Sequence, residues 1–343
     1  MFYIHHTKCI SPQLTWDNIN LEELQLSSNN TLLAKEPTYE SIPPAMYRRM
    51  GKAVRLASGA ALPLLHAVNF NGIIIGTANG GLEDCIKLLN QIMQYQEGRL
   101  TPTNFVQSTT NAIASQLAFF SSNKGHNSTH VHRGLAFENA LLEAAMLLDE
   151  NPEHTYLLGG VDEISAYQYN IEILAGSYKQ DIVSNTDLYA SKTGGSIAGE
   201  GCVIFSVNKN KENSLGKLKA ISTLHSESVE DVKQHLRDFI DKNTKANPID
   251  LLLSGENGDV RFSHFYEACE ELSGNVNVAR FKHLCGEYPT ASSFALWLAC
   301  RALQENSLPP HVIKKQINNQ PYKNILIYNN YQGKQHSFML IEK

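Results

Sequence analysis

The chain has 343 residues, of which 42% are hydrophobic and 18% charged, which is enough to bury one large core or two moderate ones. Its 34 acidic and 29 basic residues give a net charge of -5 without a basic block, which argues against binding to nucleic acid or to an anionic membrane. The six cysteines form no CxxC pair, so neither a disulfide framework nor a zinc site is predicted.

No apolar run approaches the ~20 residues needed to span a bilayer, and no signal segment is recognisable at the N-terminus. We therefore predict a soluble, cytoplasmic protein. The tandem His5-His6 lacks a carboxylate or thiol partner at useful spacing, and we predict neither a metal site nor a cofactor.

Strand-like and helix-like segments alternate along the first part of the chain. Pro43 and Pro44 suit the entry to a helix that continues to about Val68, and the apolar run Gly72–Gly76 predicts a buried strand. The loop Thr77–Gly81 then opens a helix through about Gln96. A further helix is predicted from Pro102 through Phe120.

The segment Ser128–Leu148 predicts a short strand, a tight turn at Gly134 and a buried helix. Apolar residues recur in it at three- and four-residue spacing, as Phe137, Ala140, Leu141, Ala144, Ala145 and Leu148 do. Strand-like segments follow at Tyr156–Glu163 and Cys202–Phe205, the second preceded by a glycine-rich passage.

The second half repeats the alternation after a polar segment, Lys209–Gly216, that resembles a linker. We place the boundary there, with one half over residues 1–210 and the other over 211–343. Three strands and three helices are predicted beyond it, at Leu218–Thr223, Val229–Lys242, Ile249–Leu253, Ser263–Leu272, Ala291–Gln304 and Ile325–Tyr328. Two halves of similar order predict an α/β protein with two mostly parallel sheets and helices packed on and between them.

In its motifs and their order, the sequence resembles the β-ketoacyl synthase family from about Ile42 to Ile341. This resemblance implies the thiolase fold, a five-layered αβαβα arrangement built from two similar halves. The motifs are the IPPAMYRRM stretch, Gly76–Gly81, Pro102 to Asn111, the turn at Gly134, Gly159–Glu163, Gly195–Gly201, and Lys282 with Gly286.

The resemblance implies a cysteine nucleophile and two histidines, and this sequence has none of the three. The cysteine belongs three residues before the turn glycine, where Val131 stands. The first histidine belongs at Ser254, at the start of Ser254–Asp259, and the second at Glu287, after Gly286. We therefore predict that the family's covalent mechanism is lost, since an alkyl group cannot hold an acyl chain.

Lys282 is retained, but the acidic residue that the family places in the following helix is Leu296 here. Because a lone buried charge is costly, we expect Lys282 to pair with Glu287 or Glu200. The family's glycine- and phenylalanine-rich loop is replaced by Asn330–Gln335.

Three other residues could substitute for the lost groups. His130 and His132 flank Val131, and strand alternation would put both on one face; hydrogen-bonding or interface roles are favoured over catalysis. Cys285 lies near the expected pocket and is the cysteine that we would test as a nucleophile, although a packing role is favoured.

Within the family, a member that lacks the cysteine resembles a chain-length factor, the silent partner of an active ketosynthase in type II polyketide systems. The sequence also resembles the ketosynthase-like subunits of aryl-polyene or flexirubin pathways. The resemblance implies a heterodimer with an active β-ketoacyl synthase, working on an acyl carrier protein, and a subunit that is not an enzyme by itself. Gln116, Phe119 and Phe120 are the candidates for the wall of the acyl tunnel.

Two alternatives remain open at this point. The chain could be a divergent β-ketoacyl synthase or a malonyl decarboxylase with a non-standard site. It could also be a homodimeric binding or scaffold protein on the thiolase fold.

Overall fold

The computed structural model describes residues 1–40, 42–96, 98, 100–244 and 247–343. The strands are β1 (Phe2–Ile10), β2 (Thr31–Leu32), β3 (Gly72–Gly76), β4 (His126–His130), β5 (Tyr156–Asp162), β6 (Ala198–Gly199), β7 (Gly201–Asn208), β8 (Gly216–His225), β9 (Leu251–Ser254), β10 (Asn277–Arg280), β11 (Ile313–Lys315), β12 (Asn324–Tyr331) and β13 (Gln335–Glu342).

The α-helices are α1 (Pro44–Tyr47), α2 (Lys52–Ala67), α3 (Leu82–Tyr95), α4 (Pro102–Gln107), α5 (Ala112–Ser121), α6 (Ala136–Glu150), α7 (Ala166–Leu174), α8 (Val229–Asn243), α9 (Ser263–Ser273), α10 (Lys282–Cys285) and α11 (Ser292–Glu305). Short 3₁₀ turns lie at Arg133–Leu135, Val260–Phe262 and Pro310–Val312. No helix in the described part of the chain is long and apolar enough to cross a membrane.

The two halves have the same strand order. In the first half the sheet runs β1-β7-β5-β3-β4, and in the second half it runs β8-β13-β12-β9-β10, with β11 added at the edge. In each half the second strand of this order runs antiparallel to its neighbours, and the three strands beyond it are parallel to one another. The predicted similarity of the halves is thus confirmed.

The prediction of two separate, mostly parallel sheets was wrong. The first strands of the two halves, β1 and β8, pair antiparallel over Phe2–Ile4, so hydrogen bonds join the halves into one mixed sheet, which has 11 strands in the described part of the chain. β1 was not predicted, because its sequence mixes polar and apolar residues, and without β1 the junction could not be foreseen.

The packing of the helices confirms the five layers. Helices α2 and α5 cover the outer face of the first half, and α8 and α9 cover the outer face of the second. Helices α6 and α11 contact each other and both halves of the sheet in the middle layer. The largest apolar cluster lies there, from Phe137 and Leu141 on α6 to Phe294 and Leu298 on α11.

Two predicted helices are each divided in two. The helix entered at Pro43 and Pro44 is interrupted between α1 and α2, and Gly51 precedes the second helix in an extended conformation. Likewise, α4 ends at Gln107 and α5 starts at Ala112. A short turn between two helices does not interrupt the apolar pattern of the sequence. The two helices were therefore predicted as one.

Candidate functional site

The main candidate site is a pocket of about 220 Å³ between the halves. Its walls come from α7 and the segment after it, the turns that follow β9 and α10, and the turn between β12 and β13. The lining consists of Asn79, Gln168, Glu172, Ala175, Ser177, Tyr178, Asn257, Asp259, Arg261, Phe262, Glu287, Tyr288, Pro289, Tyr331, Gln332 and Lys334. Tyrosines, amides and charged groups dominate this list, and among these described lining residues there is neither a cysteine nor a histidine.

Glu287 lies at the pocket and forms an ion pair with Lys282, with 2.7 Å between Oε1 and Nζ. The Lys282 side chain is fully buried. The second carboxylate oxygen of Glu287 accepts a hydrogen bond of 2.7 Å from Asn257 Nδ2. The predicted pairing of Lys282 with Glu287 is confirmed, and both oxygens of this carboxylate are engaged by the protein itself.

The alternative partner, Glu200, binds elsewhere. Its carboxylate contacts Lys52 at 2.5 Å and accepts hydrogen bonds from the amides of Ala34 and Ile164. Glu200 thus ties an N-terminal loop to the start of α2. Leu296, in place of the family's acidic residue, is buried in the middle layer.

Ser254 closes β9 and is fully buried. Its hydroxyl accepts a hydrogen bond of 3.3 Å from the amide of Glu256, which stabilises the turn after the strand. Ser254 is not among the residues that line the pocket. A short hydroxyl held by its own turn does not take over the position of an imidazole.

Val131 follows β4 and is 51% exposed. After His132, Arg133–Leu135 form a 3₁₀ turn, and α6 begins at Ala136, so Val131 does not lie at the amino end of the helix. Like Ser254, it does not line the pocket. Of the three positions expected to converge, the structure places Glu287 alone at the pocket.

Gly134 is required by close packing at this turn. A side chain there would bring its Cβ to 2.2 Å from the Cβ of Tyr331. The Gly134 amide donates a hydrogen bond of 2.9 Å to the side chain of Gln335. The turn before α6 therefore packs closely against the hairpin of β12 and β13. Tyr331, on that hairpin, lines the pocket.

The segment Asn330–Gln335 forms the tip of the hairpin of β12 and β13. Asn330 and Tyr331 end β12, Gln335 starts β13, and the connection between them has Gln332 and Gly333 with positive φ. The Gln332 side chain donates hydrogen bonds to Glu172 and Ser177 across the pocket entrance. The sequence showed that the family's loop motif is replaced here, but β13 was not predicted.

Asp162 connects two chain segments next to the pocket by hydrogen bonds. This fully buried carboxylate accepts hydrogen bonds from the amides of Ala78 and Asn79, the hydroxyl of Thr77, and both the amide and the hydroxyl of Thr290. Burial raises its pKa, and these donors act in the opposite direction. Asp162 thus fixes the loop after β3 to the segment that follows Glu287.

The three predicted tunnel residues lie on α5 and outside the pocket. Phe119 is 71% exposed, Phe120 packs on the outer cluster of the first half, and Gln116 is partly buried. A wall built from them would need a second chain to close it. Their tunnel role remains a prediction.

The other candidate residues have structural contacts. Cys285 is fully buried, its thiol lies near the carbonyls of Phe281 and Gly286, and burial raises the pKa of this thiol, so the reactive thiolate is disfavoured. His5 contacts the carbonyl of Asn210 at 3.0 Å. Among the described residues, no group of three or more metal-ligating side chains is present.

His130 and His132 do not share a strand face, which corrects the prediction. β4 ends at His130, and the chain turns at once, with Arg133 at φ 48°. His130 Nε2 contacts Glu143 at 2.7 Å, whereas His132 Nδ1 contacts Asn139 at 3.0 Å.

Sequence reasoning missed several residues of the site. Asn257 lies within the segment Ser254–Asp259, but its bond to Glu287 joins residues thirty positions apart. Tyr178 and Tyr331 line the pocket without any local motif that would single them out. Their position depends on long-range packing, which periodicity does not report.

The comparisons with known proteins agree with this architecture. Residues 23–181 match the family model described as "Beta-ketoacyl synthase, N-terminal domain". No curated protein matches the chain in sequence. Fold and family match together define a ketosynthase-like α/β protein, and the predicted resemblance to the β-ketoacyl synthase family is confirmed.

Solved structures with this fold span nearly the whole chain. A β-ketoacyl synthase from Burkholderia phymatum STM815 aligns with 100% of this chain and 99% of its own, at TM-score 0.79 and 13% identity. A ketosynthase (ApeO) in complex with its chain length factor (ApeC) from Xenorhabdus doucetiae aligns over 99% and 97%, at TM-score 0.78 and 13% identity.

A third structure is a type II polyketide acyl-carrier protein in complex with its ketosynthase (AntDE:AntF). It aligns with 99% of this chain and 98% of its own, at TM-score 0.77 and 12% identity. At such identities the likeness establishes the fold.

Proposed function

We propose that this chain is a non-catalytic, ketosynthase-like subunit with the role of a chain-length factor. It would pair with an active β-ketoacyl synthase and help to shape the cavity in which a polyketide or polyene chain grows on an acyl carrier protein. The observation that carries the proposal is the state of the three family positions: an exposed valine, a buried serine and a glutamate held by Lys282.

The chemistry of chain elongation requires groups that these positions do not supply. Val131 has no atom that could form a thioester. Decarboxylation of a malonyl unit develops negative charge on the substrate, and the Glu287 carboxylate would repel that charge instead of stabilising it. Loss of a single donor at such a site typically costs about 10²–10³ in rate.

An open surface beside β4 supports pairing with a second protein. β4 is the last strand of the sheet on that side in the described chain, so its outer edge has no neighbouring strand. Phe119 on α5, Val131 after β4 and Met146 on α6 are 71%, 51% and 65% exposed. Exposed apolar side chains next to an open strand edge are typical of an interface.

A basic cluster supports an acyl carrier protein as the second partner. Arg48 and Arg49 are exposed at the end of α1, at a cavity that Lys52 and Ser165 also line. Ser165 caps α7, and Gln168 on the same helix lines the main pocket, so both cavities adjoin α7. A carrier protein presents its acyl group on a phosphate-bearing arm, which cations would attract.

Co-expression with type II ketosynthases from the same genome tests the proposal. We expect a stable complex with one of them, and no turnover of malonyl carrier protein by this chain alone. The Val131→Cys variant is the matched control: it restores the sulfur but not the histidines, so we expect it to remain inactive. Turnover by the wild-type chain alone would support a divergent synthase, and a homodimer that binds no ketosynthase would support a scaffold protein.

A further inference from the structure

The main pocket contains one acidic side chain without a cationic partner. Its acidic lining residues are Glu172, Asp259 and Glu287. Glu287 pairs with Lys282 at 2.7 Å, and Asp259 pairs with Arg261, whose Nε lies 2.9 Å from Oδ1. Glu172 forms no ion pair with any residue that the structure describes.

The carboxylate of Glu172 is held by neutral groups instead. Gln168 Nε2 donates to its Oε1 at 2.7 Å, and Gln332 Nε2 donates to its Oε2 at 3.3 Å. Both oxygens thus act as acceptors, as they do in an ionised carboxylate. Because amides orient a carboxylate without cancelling its charge, Glu172 would attract a cation into the pocket.

The two basic lining residues are bound elsewhere. Lys334 Nζ lies 3.0 Å from Glu227, and both of these side chains are more than half exposed. The guanidinium of Arg261 donates to the carboxylate of Asp259 through Nε and Nη2, and it also donates to the carbonyl of Gly176 at 2.7 Å. Neither cation therefore neutralises Glu172.

Two tyrosine hydroxyls at the pocket are free to bind a ligand. Tyr178 and Tyr331 line the pocket, and neither hydroxyl has a hydrogen-bond partner within the described ranges. Burial raises the pKa of both hydroxyls, and the carboxylates of Glu172 and Glu287 act in the same direction. Both hydroxyls thus stay neutral and can accept hydrogen bonds as well as donate them.

The rest of the wall suits a small organic cation. The rings of Phe262 and Tyr288 line the pocket together with those of Tyr178 and Tyr331. The faces of aromatic rings attract cations. The volume of about 220 Å³ corresponds to about seven water molecules at ~30 Å³ each, so the ligand must be small.

We propose that the main pocket binds a small primary ammonium ion, with the carboxylate of Glu172 and the hydroxyls of Tyr178 and Tyr331 as acceptors for its three N–H donors. The inference goes beyond the proposed function and needs no partner, since the pocket lies within one chain. A malonyl unit, which is an anion, would be disfavoured in the same pocket.

Nuclear magnetic resonance of the full chain with isotope-labelled tyrosine rings tests the inference at neutral pH and low salt. The probe is n-butylammonium, and n-butanol and n-butyrate are the matched neutral and anionic compounds. We expect n-butylammonium alone to shift the signals of Tyr178 and Tyr331, which the variants Tyr178→Phe and Tyr331→Phe assign. An equal response to n-butanol, or no response to n-butylammonium, would overturn the inference.

The Glu172→Gln variant tests the role of the charge. It keeps an acceptor oxygen, and we expect its affinity for n-butylammonium to be lower by at least about tenfold. Glu212→Gln, in the exposed segment between β7 and β8, is the matched control and should bind as the wild type does. This control is needed because a net charge of -5 attracts any cation. If both variants weaken binding equally, the attraction is non-specific and the inference fails.

The Ala175→Leu variant tests the place of binding without removing a polar group. Ala175 lines the pocket at the exposed end of α7, and a larger side chain there would take up part of the volume. We expect weaker binding of n-butylammonium, and unchanged binding would contradict a ligand in this pocket. Ketosynthase binding is measured separately, so failure of the proposed function leaves this result unaffected.

Discussion

The strand–helix units β4–α6 and β10–α11 occupy equivalent places in the two halves but differ in exposure. β4 has the polar sequence HNSTH and an open edge, and the Val131 turn after it is exposed. β10 is covered by β11, and α11 is almost completely buried. The Lys282–Glu287 pair lies between β10 and α11, where the second unit faces the pocket.

This difference suggests that one unit contributes to stability and the other to assembly. The second unit stabilises the molecule, since its charges are buried and paired within the chain. The first unit has an open strand edge in the described chain and exposed apolar side chains, which suit contact with another protein. Substitutions in the two units should therefore affect different properties, stability in one and assembly in the other.

The largest effect on stability is expected in the second unit. Lys282→Met leaves Glu287 without its cation in a buried site, which typically costs about 3–5 kcal/mol. Urea unfolding measures this change. The double variant Lys282→Met/Glu287→Leu removes both charges and should recover most of the loss; if the double variant is as unstable as the single one, the ion pair is not the cause.

A second effect is expected from Glu138, on the first turn of α6. Its carboxyl is fully buried and bonded to Ser337, and burial raises its pKa to about 7. The folded state therefore binds this proton more tightly than the unfolded state, and stability falls as the pH rises from about 4.5 to about 7. The shift corresponds to about 3 kcal/mol.

Urea unfolding at about pH 5 and pH 8 checks this sign. We expect Glu138→Gln to lose less stability between these pH values than the wild type does. Burial also raises the pKa of Glu163 to about 7, so Glu163→Gln serves as an independent comparison. If the free energy of unfolding of Glu138→Gln falls as steeply with pH as that of the wild type, another group causes the pH dependence.

The smallest effect on stability is expected at the open surface of the first unit. Phe119→Ala removes a ring that is 71% exposed, so the free energy of unfolding should change by less than about 0.5 kcal/mol. Phe120→Ala is the matched control, and it should cost more because Phe120 packs on the outer cluster. If these residues form the wall of the acyl tunnel, Phe119→Ala and Phe120→Ala should change the length of the product made by the complex. A product of unchanged length from an intact complex would exclude this role.

The sequence predicted the elements that carry a strong local pattern. The apolar runs at β3 and β5 and the periodic helices α6 and α11 were recognised, and a charge argument limited the partner of Lys282 to Glu287 or Glu200. β1 and β13 were missed because polar residues such as His5 and Gln335 interrupt their patterns. β1 pairs with the distant strands β7 and β8, and β13 pairs with the distant β8 as well as with its hairpin neighbour β12. Local propensity does not encode such pairing.

Within the site, the sequence located positions but not their surroundings. Motif order placed Val131, Ser254 and Glu287, but it could not show that Glu287 alone reaches the pocket. The contacts of Glu143 with His126, Ser128 and His130 were not predicted, because each of them joins a strand to a helix. Such contacts depend on how the elements dock, and docking is decided by the whole core.

The central claim is that this chain takes part in elongation without holding the acyl group. Intact-mass measurement of both subunits of the co-purified complex, after incubation with acyl and malonyl carrier protein, tests it most directly. The account predicts an acyl adduct on the partner ketosynthase and an unchanged mass for this chain. An acyl adduct on this chain would contradict it.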